Sequence, residues 1–104
     1  MMKMNRTCTL LTLTMLLSCA AATSQSGDAL YKSKCAMCHG ATGTPSPAMA
    51  NAMGIKPVSD PDIQKLTTDQ MAATVKNGKG KMKPIAGLTD AQIKDVVAYY
   101  RGLK

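Results

Sequence analysis

Apolar side chains near the C-terminus recur at helical spacing. Ile93, Val96, Val97 and Tyr100 fall at i, i+3, i+4 and i+7 in an otherwise polar stretch, which predicts an amphipathic helix with one buried stripe. Its entry, Leu88-Thr89-Asp90-Ala91-Gln92-Ile93, shares its grammar with Leu66-Thr67-Thr68-Asp69-Gln70-Met71. In each, a threonine and a glutamine three residues on can satisfy the first backbone amides of a helix reciprocally, a capping box. The earlier helix carries Met71 and Val75, and Asn77-Gly78 predicts its end. The likeness of the two boxes is shared capping grammar, not an internal repeat. A further helix is expected from Asp28, as cap, through Ala29, Leu30, Tyr31 and Lys34 into Cys35. Residues 40–57 are rich in Gly, Pro and Ser and predict a loop with one helical turn around Met49 to Met53. Pro61, after Ser59 and Asp60, suits the first position of a short turn through Ile63 and Leu66. No stretch alternates with strand period, so the pattern predicts an all-α domain.

The N-terminal residues follow a different plan. Lys3 and Arg6 precede the apolar run 10–17, and Ser18, Cys19 and three alanines follow it, the layout of a secretory leader. The run is too short to span a bilayer. Cleavage after Ala22 would make 1–22 a signal peptide and 23–104 the mature domain. Leu16-Leu17-Ser18-Cys19 also resembles a lipobox, in which case Cys19 becomes a lipidated first residue and a membrane tether. Either ending implies export, hence a periplasmic protein, soluble or lipid-anchored. Thr23 to Gly27 reads as a small polar lead-in.

The whole chain of 104 residues carries a formal charge of +7. Without Lys3 and Arg6, 11 basic and six acidic residues remain, for +5. A basic surface suits anionic lipid or an acidic protein face. Nucleic acid is excluded as partner by export and by the absence of Phe and Trp, which leaves three Tyr for stacking on bases. The same shortage of aromatics weakens the core, because a domain of about 80 residues needs a staple or a cofactor to complete it.

Cys35-Ala36-Met37-Cys38-His39 supplies one. Two thiols three residues apart on a helical turn can add to the two vinyl groups of one haem, and the next residue offers an imidazole to its iron. Zinc is excluded by ligand count, since two Cys and the chain's one His cannot make four donors. A thioredoxin-like pair needs a βαβ setting, and a Cys35–Cys38 disulfide would close too small a loop to stabilise much. Of the methionines beyond residue 22, Met37 lies between the cysteines and Met71 on a helical stripe, where it reads as core filler. Met49 and Met53 read as apolar lining. Met82 follows Gly78-Lys79-Gly80-Lys81 in a flexible basic loop, where no regular element accounts for an apolar side chain.

CAMCHGATG, NGKGKMKPIAG and LTDAQIKDVVAYYR together resemble the class I c-type cytochromes of the small bacterial monohaem kind, from about Gly27 onwards. The resemblance implies a cytochrome c fold of three to five short helices wrapped around one covalent haem c, with the first and last helices crossing. Gly27, Leu30 and Tyr31 would then pack near Val97 and Tyr100. It implies Met82 as the second iron ligand beside His39, and the Pro47 carbonyl, or that of Pro45, as the partner of the histidine's other ring nitrogen. Lys83 and Ile85 depart from the family pattern of methionine, proline and aromatic. With no Phe or Trp, Met49, Met53, Ile55, Ile85 and Leu88 are expected to cover the haem alongside Tyr31.

Two axial ligands leave iron no open position, which suits a monomeric one-electron carrier meeting protein redox partners, not an enzyme. Lys76, Lys79, Lys81 and Lys83 either steer it to an acidic docking face or form an ordinary solvated loop. The alternative is a haem-based ligand binder or sensor with a displaceable Met82. A peroxidase lacks a distal acid-base group, because His39 is the single histidine.

Overall fold

The computed structural model describes residues 26–104, so the readings of 1–22 and of Cys19 lie outside the described residues. Helices α1 (Gly27–Lys34), α2 (Ala36–His39), α3 (Pro47–Met53), α4 (Pro61–Gln64), α5 (Thr68–Asn77) and α6 (Asp90–Arg101) follow one another, with no strand among the described residues. Six helices stand against the expected three to five, because α2 and α4 are separate single turns of four residues.

Both capping boxes form. The Thr67 and Thr89 hydroxyls accept from the Gln70 and Gln92 amides, and the glutamine side chains accept from the threonine amides. Pro47 and Pro61 open α3 and α4, capped by Ser46 and Asp60. Gly54 and Gly78, at φ 67° and 76°, end α3 and α5 in the left-handed region that side-chain-bearing residues avoid. Asp28 does not cap α1. The helix starts two residues earlier, at Gly27, Ser26 takes the cap position, and the Asp28 carboxylate accepts from the Ala29 amide inside the first turn.

The reason for the early start is the crossing with α6. A Cβ on Gly27 would lie 2.4 Å from the Asp95 carbonyl oxygen and 3.3 Å from Tyr99 Cβ, so the two backbones approach more closely than any side chain allows. Leu30 and Tyr31 from α1, Met71 and Val75 from α5, and Ile93, Val96 and Val97 from α6 form one buried cluster. The α6 stripe is thus the spine against which both other helices pack. The Arg101 guanidinium closes its far end, donating to the Leu66 carbonyl and lying 3.7 Å from the Met71 sulfur.

Candidate functional site

Between these helices lies an apolar cavity of about 130 Å³. Tyr31, Cys35 and His39 line it from the α1–α2 side, Val96, Val97 and Tyr100 from α6, and Met71, Thr74 and Val75 from α5. Ile63, Leu66 and Met82 complete the wall. His39 and Met82, 43 positions apart in the chain, therefore face one space.

The CxxCH segment is held by its own backbone. The His39 amide donates to the Cys35 carbonyl and the Gly40 amide to the Ala36 carbonyl, both at 2.9 Å, so residues 35–40 form one tight turn. Cys35 and Cys38 are free thiols, both half-buried, while Met37 between them is 90% exposed. Burial pushes the Cys35 thiol up and the His39 imidazole down, which favours a neutral ring able to donate a lone pair to a metal. His39 Nδ1 is buried with no hydrogen-bond partner among the described residues. Such an orphaned ring nitrogen is uncommon, and a metal or a second-shell acceptor ordinarily satisfies it. The ring is steadied by Tyr100, edge-on at 5.6 Å between centroids.

Met82 is positioned by a tight turn. The Lys79 amide donates to the Met82 carbonyl at 2.9 Å and the Met82 amide to the Lys79 carbonyl at 3.0 Å, with Gly80 at φ 56° inside the turn. Gly78 permits the chain to double back, because a Cβ there would sit 2.7 Å from the Met82 carbonyl oxygen. The Ile85 amide, bonded to the Val75 carbonyl at 2.9 Å, fastens the loop's exit to α5. Lys81 Nζ reaches the Ala52 carbonyl at 2.8 Å and so ties the loop to the end of α3. The sequence offered no sign of this bond, since the partner is a backbone atom 29 residues away.

Several expected contacts are arranged otherwise. Met53 and Ile85 are absent from the cavity wall, as are Met49, Ile55 and Leu88. Ile85 and Leu88 pack on the outside of the helical cluster instead. The apolar wall comes from Ile63, Leu66 and the inner faces of α5 and α6, residues that periodicity marks as core without saying what the core encloses. Neither Pro47, at the first position of α3, nor Pro45 bonds His39 Nδ1, which has no partner among the described residues. Met71, read as core filler, is buried as expected but also reaches the cavity. All four loop lysines are exposed; Lys76 pairs with Asp90 at 3.4 Å and Lys81 bonds the Ala52 carbonyl, while Lys79 and Lys83 have no side-chain bond among the described residues.

This arrangement, an all-α cytochrome c fold around a CxxCH turn, defines a small class I c-type cytochrome. The chain belongs to the family described as "Cytochrome C oxidase, cbb3-type, subunit III", whose model matches residues 22–99. It is similar to a solved structure described as "KustC0563 c-type cytochrome", 28% identical over 77% of this chain and 99% of that one, with a TM-score of 0.69. A mutant of that protein matches at 26% identity over 77% of this chain and all of its own, with a TM-score of 0.67. No curated protein gives a significant match. Cytochromes of this family hold haem c covalently, with its iron, and serve haem-based electron transfer with redox protein partners, generally without catalysing a reaction of their own. No described helix is long and apolar enough to cross a membrane.

Proposed function

We propose that this chain is an exported monohaem electron carrier in which Cys35 and Cys38 form the thioether bonds and His39 and Met82 are the two axial ligands of the iron. The observation that carries this reading is the cavity onto which Cys35, His39 and Met82 all open, so that an imidazole and a thioether face one apolar space beside the CxxCH turn. Haem c supplies a metal that gains and loses one electron at a potential raised by methionine ligation.

The chain's own residues do the rest. The tight turn from Cys35 to Gly40 presents both thiols and the imidazole from one rigid piece of backbone. Val75, Val96 and Val97 exclude water, so little solvent must reorganise when charge changes. Between the two methionines on the wall, Met82 is the better donor. Its loop bends sharply at Gly78 and Gly80, whereas the Met71 sulfur already lies against the Arg101 guanidinium. With His39 and Met82 both bound, the metal would offer no position to small molecules, which suits electron transfer without bond making.

Lys79 and Lys83 stand on the Met82 loop, and their charge steers the carrier to an acidic docking face on its partner. Export places the protein in the periplasm, as a monomer, either cleaved after Ala22 or tethered through a lipidated Cys19.

Absorption spectra of the purified oxidised and reduced protein test this. The pigment is expected to survive acidified organic solvent, and the oxidised form to show the weak near-infrared band of iron–methionine ligation. Met82→Ala should abolish that band and lower the potential, while Met71→Ala keeps the band. A five-coordinate, high-spin ferrous protein that takes up carbon monoxide readily would instead establish a ligand binder or sensor.

A further inference from the structure

Tyr31 is 1% exposed, yet it carries a hydroxyl. A phenylalanine would fill the same space without a polar atom to satisfy, so the hydroxyl calls for a reason. Its bond is to the Gly40 carbonyl, at 2.6 Å, nine residues ahead. The Tyr31 backbone carbonyl meanwhile accepts from the Cys35 amide at 2.9 Å. One residue therefore grips both ends of the CxxCH segment, its entry through the main chain and its exit through the side chain.

The exit needs holding. Gly40 turns at φ 81°, and a Cβ there would lie 1.9 Å from the Thr44 carbonyl oxygen, so the chain leaves His39 by a sharp, crowded bend. The Gly40 carbonyl accepts from the Gly43 amide at 3.2 Å as well as from Tyr31, which occupies both of its lone-pair directions. The His39 ring is carried by this backbone and meets the edge of Tyr100, whose ring stacks at 5.9 Å on Tyr31. Both influences on the imidazole thus lead back to one side chain.

We infer that Tyr31 is a positioning residue for the iron ligand: through the Gly40 carbonyl and the Tyr100 ring it sets the plane of the His39 imidazole. This rests on the reading of His39 as an axial ligand. The hydroxyl acts as a neutral donor at a fixed place, and the ring as a spacer between α1 and α6.

Tyr31→Phe in the haem-loaded protein separates this from a packing role. The ring stays, so haem attachment and the visible spectrum are expected to persist. The paramagnetically shifted haem methyl signals of the oxidised protein, whose spread follows the orientation of the axial imidazole, should redistribute, with a shift in reduction potential. Tyr99→Phe removes a hydroxyl from the same three-ring stack without touching Gly40 and should leave the methyl pattern unchanged. A Tyr31→Phe protein with the wild-type methyl pattern and potential, merely less stable, overturns the inference while the haem reading stands. Loss of pigment from the wild type in acidified solvent sinks both. Should Tyr31→Phe fail to mature, the reduced wild-type holoprotein decides by proton NMR. A Tyr31 hydroxyl proton exchanging with water far more slowly than that of Tyr99 supports the bond, and equal exchange refutes it.

Discussion

The two walls of the cavity are built in different ways. On the His39 side the CxxCH turn is joined to a helix pair whose backbones nearly touch at Gly27, and Leu30 and Tyr31 beneath it are almost fully buried. On the Met82 side a loop of mostly exposed residues is fastened at three points: the Lys79–Met82 turn, the Ile85–Val75 bond and the Lys81–Ala52 bond. The first wall inherits the cooperative stability of the core, and the second opens by breaking a few exposed bonds. In the proposed carrier this division would keep the CxxCH turn and His39 fixed while Met82 could be tuned, or lost, without unfolding the protein.

Substitutions on the two sides should therefore act on different observables. The largest effect on global stability is expected from Leu30→Ala, which deletes a buried side chain at the α1–α6 contact and should cost about 2–5 kcal/mol in denaturant unfolding. Gly27→Ala should follow at about 1–3 kcal/mol, since its new methyl must push α6 away from the Asp95 carbonyl. If Gly27→Ala were neutral, the crossing would be looser than the geometry shows and the contrast between the walls would weaken. The smallest effect on global stability belongs to Lys81→Ala, which should change unfolding by less than about 1 kcal/mol because the side chain is exposed. The same change should still let an added ligand such as imidazole replace Met82 faster in stopped-flow measurements. An unaltered exchange rate would show that the bond to Ala52 does not hold the loop shut.

What proved legible in the sequence was local. The capping boxes at Thr67 and Thr89, the stop at Gly78 and the CxxCH turn each depend on residues within about one helical turn of one another, so spacing alone specifies them. The contents of the cavity wall were not legible. Met53 and Ile85 have the right chemistry to line it, but Ile63 and Leu66 do so, because the path of loop 40–60 depends on long-range contacts. One such contact is Gly43, where a Cβ would fall 2.6 Å from Val58 Cγ1; another is Leu103, whose Cβ would lie 3.3 Å from the same position. The cap of α1 fell two residues before the expected Asp28 for a related reason, since only the crossing with α6 shows why Gly27 belongs inside the helix.

The sequence by itself determined that the chain is helical, where most of its helices start and stop, and which five residues make up the CxxCH turn. Those properties follow from backbone hydrogen bonding and side-chain spacing over short stretches. Only the tertiary structure decided that Met82 meets His39 across one cavity, that Lys81 clasps α3, and that Tyr31 grips both ends of the CxxCH segment. Two of these contacts, Lys81 with Ala52 and Tyr31 with Gly40, end on a backbone carbonyl. Every residue but its neighbours offers the same carbonyl, so no pattern of residue types can announce which one a distant side chain will find.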